Sequence, residues 1–235
     1  MNKATHLKAL LHELAKQAPP NKAVFFKTGV GGYAEHDRFI GVTVPILRKI
    51  AKQFAALPLT ELQLLFESPI NEERLLALVI LVMQYQGSPH DGKITLYNFY
   101  ISNLKHVNNW NLVDASAHLI IGDHLHNKEK DILLTLAKSD NMWERRIAMV
   151  ATWHFIRQDH YEWTLKIAEI LLKDSHDLIH KAVGWMLREM GKRNLKTLKA
   201  FLNQHAALMP RTMLRYAIEK LPLDERKAYL NQGRV

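Results

Sequence analysis

Trp110 and Asp114 stand four residues apart in Asn-Asn-Trp110-Asn-Leu-Val-Asp114, a spacing that puts both on one face of a helix. A carboxylate in the first turn of a helix is favoured by the helix dipole and stays ionised. A tryptophan beside it offers a flat surface to a sugar or a base, and its negative π-face attracts a cation. A core tryptophan with a capping aspartate would look the same. Two further segments repeat the pairing of an indole with an ionic residue. Trp143 and Arg146 are three apart in Asn141-Met-Trp143-Glu-Arg-Arg146, and Lys181 and Trp185 are four apart in Ile179-His-Lys181-Ala-Val-Gly-Trp185. One such pair carries little weight; three in succession suggest a lined cleft, although Trp143 reads more readily as core. Gly184, next to Trp185, leaves open space beside the ring. Glycine inside a helix costs about 1 kcal/mol against alanine, so a packing or ligand reason is expected.

Other chemistries are excluded or weak. The chain has no cysteine, which removes disulfides, thiolate zinc sites, iron–sulfur ligation and a thiol nucleophile. Gly29-Val-Gly-Gly32 lacks the Gly-Lys-Ser/Thr of a phosphate-binding loop, and neither Gly-x-Ser-x-Gly nor His-Glu-x-x-His occurs. Histidines 118, 124 and 126 cluster with Asp123, but His118 and His124 are six apart and do not share a helix face. Exposed or capping histidines are the default there, and neither a metal nor a cofactor is expected.

The elements that position these residues read as helices. Glycine (10) and proline (8) are scarce and fall between segments of helical periodicity. Residues 18–43 form the one long irregular loop, with Gly29, Gly31 and Gly32 supplying backbone freedom. Pro45 starts a helix, Thr60 to Gln63 fits a capping box, and Asn71, Asn111, Asp140 or Asn141, and Asp177 are candidate N-caps. Helices recur in related pairs. Arg74, Arg146, Lys181 and Arg215 each lead small and apolar residues, and Asp114 leads a similar segment between the first two. The recurrence is near the length of one helical-pair repeat, which predicts an all-α fold, an α-solenoid of HEAT-like repeats forming a single domain over residues 1–235. Stacked pairs of this type present a concave face, and a cation in each repeat would make it a basic groove. Local pairing with Glu73 or Glu144 is the alternative.

The net charge is +9 and the isoelectric point near 9.6. Between His180 and Val235 stand twelve Lys and Arg against four acids. This basic C-terminal quarter is the expected electrostatic anchor for an anionic polymer, with Arg188, Lys192, Arg193 and Arg215 joining Arg146 and Lys181 as candidate contacts. The N-terminus reads as an amphipathic helix, and no apolar run is long enough to span a bilayer. A soluble, cytoplasmic monomer without membrane contact is expected.

Four segments carry a family resemblance: Phe25-Phe-Lys-Thr-Gly with Asp37-Arg-Phe-Ile-Gly-Val-Thr-Val-Pro-Ile-Leu-Arg-Lys-Ile-Ala51; Trp110-Asn-Leu-Val-Asp114; Asn141-Met-Trp-Glu-Arg-Arg146; and Lys181-Ala-Val-Gly-Trp-Met-Leu-Arg-Glu189. In this order the chain resembles the DNA alkylation repair family, the AlkD-like HEAT-repeat DNA glycosylases. The resemblance implies a monofunctional hydrolase of base excision repair acting on duplex DNA. It would cleave the N-glycosidic bond of cationic N3- and N7-alkylpurines without flipping the base. It implies Asp114, Trp110 and Trp185 as catalytic residues, with both indoles packed against the damaged nucleotide, and Arg146 on the DNA backbone. A non-catalytic protein that binds damaged or branched DNA is the alternative.

Overall fold

Periodicity in the sequence becomes helix along the chain. The computed structural model describes residues 2–17 and 26–232. Among these, fourteen α-helices form and no strand; one isolated parallel bridge joins Arg38 to Ile70. The fold is all-α, as the helical repeats predict. Residues 18–25, the first part of the expected loop, lie outside the described residues, as does Arg234 at the basic end. No helix among the described residues is long and apolar enough to cross a membrane. Backbone contacts divide the chain into two compact units, Met1–Ser116 and Ala117–Val235.

The first unit holds α1 (Lys3–Ala15), α2 (Val44–Gln53), α3 (Leu59–Phe66), α4 (Asn71–Gly87), α5 (His90–Ser102), a 3-10 turn at Leu104–His106, and α6 (Trp110–Ala117) at its end. Its centre is α4, whose run Leu75 to Met83 is apolar on every face and almost wholly buried. A helix apolar all round must be enclosed, and α2, α3 and α5 pack against it. Each leucine or isoleucine so buried contributes about 1.5–3 kcal/mol. Pro45 sits in the first turn of α2, as expected.

The second unit holds a π-turn at His118–Gly122, then α7 (Asp131–Ala137), α8 (Met142–Ala151), α9 (Trp153–Arg157), α10 (Glu162–Leu171), α11 (Asp177–Arg193), α12 (Leu195–His205), α13 (Arg211–Ala217) and α14 (Leu223–Asn231). Here α11 is central, packed by α8, α10, α12 and α13. Asn141 caps α8 by accepting from the Trp143 amide at 3.0 Å.

Other expected caps differ. No capping box forms at Thr60, because Pro58 takes the N-cap position and α3 already starts at Leu59. Asn71 and Asp177 are the first helical residues, one past the caps Ile70 and His176. Asn111 lies inside α6, which Asn109 precedes.

The helices α4, α6, α8, α11 and α13 start at Asn71, Trp110, Met142, Asp177 and Arg211. Counting four positions past each start gives Leu75, Asp114, Arg146, Lys181 and Arg215. Arg74 therefore belongs to a different position from Arg146, and its counterparts are Arg145 and His180, three past each start. These three share one device. Arg74 Nη1 donates to the Ser68 carbonyl at 2.7 Å, Arg145 Nη1 to the Ser139 carbonyl at 2.8 Å, and the His180 ring meets the Asp174 carbonyl. Each side chain reaches back six positions to the loop before its own helix.

Candidate nucleic-acid interface

In the first unit, Asp37 is the hub that fixes the start of α6. It is 6% exposed. Its carboxylate pairs with Arg74 Nη2 and accepts from Asn109 Nδ2 at 2.6 Å and Asn71 Nδ2 at 3.0 Å. Asn109 Oδ1 in turn accepts from the Trp110 amide at 2.7 Å. On the other side of Trp110, Asn111 Nδ2 donates to Asn71 Oδ1 at 2.7 Å. Both neighbours of Trp110 are thus tied to the same buried charge pair. A buried ion pair must have its remaining lone pairs satisfied to be tolerated, and the two asparagines satisfy those of Asp37.

The described part of the irregular segment, residues 26–43, is bonded onto α4. Ile40 and Gly41 donate their amides to the Glu72 carboxylate, Gly41 at 2.7 Å, and Asn71 N donates to the Arg38 carbonyl at 2.8 Å. Gly41 has φ +85°, which a side chain would strain. This placement brings Phe26 and Phe39 beside Trp110 in a three-ring stack. Phe26 lies 5.0 Å from Trp110 at 12° and 4.3 Å from Phe39 at 24°. A pocket next to the stack is lined by Phe26, Phe39, Thr43, Asn71, Glu72 and Asn111. Trp110 and Asp114 are both half-exposed, on one face and one helical turn apart.

In the second unit Trp185 is half-exposed on α11. Trp153 meets it edge to face, centroids 5.0 Å apart at 62°. The ring of His118, from the π-turn, lies 4.6 Å from Trp153. His118 is 7% exposed, not exposed or capping as expected. Burial, with the charges of Arg157 and His154, pushes its pKa down to about 4. It is neutral at physiological pH. Gly184 has no open space beside it. A methyl group there would come within 2.4 Å of the Met213 carbonyl oxygen and 2.5 Å of Tyr216 Cβ. The glycine lets α11 and α13 touch backbone to backbone, so the packing reason is the one realised. Gly122 does the same in the π-turn, against the Ala151 carbonyl and His154.

The expected DNA-binding cations are differently placed. Arg146 is 5% exposed and donates to the Leu178 carbonyl at 2.6 Å. It ties α8 to the first turn of α11 and does not project as a free charge. Trp143 is buried core. Lys181 bonds Asp177 at 2.9 Å one turn back. Arg188 pairs with Glu219 and Glu189, and Lys192 bonds Glu189 at 2.7 Å. Arg193 forks onto Asp159 at 2.7 and 2.9 Å; that bond, with one from Tyr161, lowers the Asp159 carboxyl to about 2. Arg215 is exposed and forms no ion pair with another described residue. The expected ladder of positive charge is therefore mostly compensated.

Sequence reasoning missed Asp37, Asn109, Trp153 and Arg157. Asp37 and Asn109 are 72 positions apart, and no local pattern joins them. No group of three or more His, Asp or Glu able to hold a metal occurs among the described residues.

A family model described as DNA alkylation repair enzyme matches residues 9–221 of the chain. Among solved structures, the chain is similar to a predicted DNA alkylation repair enzyme from Enterococcus faecalis, with a TM-score of 0.63 and 16% sequence identity. The match covers 81% of this chain and 92% of that one. At that identity the likeness is one of fold. No curated protein matches.

Proposed function

As this chain belongs to the DNA alkylation repair enzyme family, we propose that it is a DNA glycosylase that hydrolyses the N-glycosidic bond of N3- and N7-alkylpurines in duplex DNA. The observation that carries this reading is Asp114. Its carboxylate is half-exposed, one turn from a half-exposed Trp110, on a helix whose start is locked by the Asp37 hub. N-alkylation makes the purine a cationic leaving group that departs neutral, so no strong general acid is required. Positive charge develops on the deoxyribose as the C1′–N bond breaks. A fixed carboxylate stabilises that charge and orients the water that adds to C1′. The Trp110 face adds cation–π attraction of about 0.5–2 kcal/mol. Trp185, held by Trp153, offers the second indole to the nucleotide backbone. No step requires a metal or an organic cofactor.

The test is base release from duplex DNA carrying N7-methylguanine, wild type beside Asp114→Asn. Wild type is expected to release the base, and the variant to lose roughly 10²–10³-fold in rate, the usual effect of removing a preorganised electrostatic partner. Equal release by both removes Asp114 from the mechanism. Binding without release by wild type favours the non-catalytic reading.

A further inference from the structure

Arg157 differs from most of the other cations of the second unit, and from Arg215, which also lacks an ion pair with another described residue, in lying over an indole. Arg145, Arg146, Lys181, Arg188, Lys192 and Arg193 each bond a carboxylate or a buried carbonyl. Arg157, the last residue of α9, is exposed and makes no ion pair with another described residue. Its guanidinium instead lies over the Trp153 ring, 4.9 Å from the centroid, and Trp153 is the ring that meets Trp185 at 5.0 Å. Partial burial disfavours the charged form of Arg157, and no carboxylate offsets that cost.

The arrangement has the properties of a waiting anion contact. Resting over an indole restricts the guanidinium, so less side-chain freedom is lost when its N–H fork closes on a partner. The fork matches two oxygens of one phosphate. His118, kept neutral by burial, packs against the same indole without adding charge. The π-turn that presents it is a rare helical form, common at functional sites. A chain of contacts thus runs from His118 to Trp153, and from Trp153 to both Trp185 and Arg157.

We infer that Arg157 binds a backbone phosphate beside the nucleotide engaged by Trp185, with Trp153 as the positioning residue for both. This rests on the DNA-repair reading. It adds a contact that the sequence did not offer and moves the phosphate anchor of this unit away from the paired cations.

The experiment is equilibrium binding of the full chain to an undamaged DNA duplex across a salt series, with base release from N7-methylguanine duplex in parallel. The variants are Arg157→Gln, Arg157→Lys and Trp153→Phe. Lys166→Gln is the control, because Lys166 also rides on an indole, 4.6 Å above Trp163. Arg157→Gln is expected to weaken binding about 5–10-fold at moderate salt and to reduce the slope of log K against log[salt] by about 1. Arg157→Lys keeps the slope but loses about 2–3-fold in affinity with the planar fork. Trp153→Phe also keeps the slope, while the near-ultraviolet circular dichroism of the coupled Trp153–Trp185 pair is lost. Lys166→Gln is expected to leave the slope within error of wild type. An unchanged slope and affinity in Arg157→Gln, with wild type binding normally, overturns the inference alone. A reduced slope with no base release by wild type supports the phosphate contact and overturns the glycosylase. No duplex binding by wild type overturns both.

Discussion

The two units hold their half-exposed tryptophans by different physics. Around Trp110 the support is charge: Asp37 and Arg74 form a buried pair, and Asn71, Asn109 and Asn111 carry its hydrogen bonds to both sides of the indole. Around Trp185 the support is shape: an edge-on indole, a neutral imidazole and a glycine that lets two helices touch. The contrast is sharpest where the two units share a device. Arg74 and Arg145 both reach back six positions to a loop carbonyl and both meet an aspartate. In the first unit the arginine is buried along with the aspartate, and the next helix recruits that aspartate. In the second, Asp174 accepts Arg145 Nε at 2.6 Å and the His176 amide at 2.8 Å, and these bonds stop at the cap of α11, well before Trp185. Hydrogen bonds are directional and costly when half-made, whereas ring contacts yield by degrees. The first unit should therefore fail abruptly and the second gradually.

Three measurements test that contrast. Asp37→Ala leaves Arg74 charged, buried and without its carboxylate, and is expected to cost about 3–5 kcal/mol in denaturant unfolding. A loss under about 1 kcal/mol, the net worth of one ordinary hydrogen bond, would mean that water reaches the hub and that Trp110 is held by its ring stack alone. The second concerns His118. Its folded pKa lies below that of the unfolded chain, so the unfolded state takes up the proton first as pH falls. Its contribution is whole above about pH 6.5 and is lost as pH falls towards about 4, by about 3 kcal/mol at most. His118→Phe should flatten that part of the stability–pH curve; an unaltered curve would place the titration elsewhere. The smallest effect is expected from Asp174→Ala, about 1–2 kcal/mol, since Arg145 retains its carbonyl partners and some solvent. Equal losses at Asp174 and Asp37 would remove the deeper burial of Arg74 than of Arg145 as the source of the difference.

Much of the fold was legible because helices announce themselves locally. Pro45, Asn141 and the apolar run at Leu75 behave as their types and spacing predict. The repeat was legible, but its register slipped by one between α4 and α8. Residue type matched Arg74 with Arg146, whereas the back-reaching bond matches Arg74 with Arg145. Trp110, Asp114 and Trp185 could be picked out by type and spacing. What holds them could not. Asp37 acts on partners 34, 37 and 72 positions away, and a sequence shows charge without showing which charges neutralise one another. For the same reason the basic quarter looked like open positive charge, while Arg188, Lys192 and Arg193 are already matched to Glu219, Glu189 and Asp159.

The six-position tie also acts as a ruler. Ser68 to Arg74, Ser139 to Arg145 and Asp174 to His180 span the same stretch of loop and helix. An inserted or deleted residue inside any of these would separate the tying side chain from its carbonyl, by turning it about 100° around the helix where the change falls within the helical turn. Yet the helix starts are spaced unevenly, the step from α4 to α6 being the longest and that from α6 to α8 the shortest. All of that unevenness is taken up outside the ties. Length in this chain is metered where α4, α8 and α11 begin and is free to drift elsewhere.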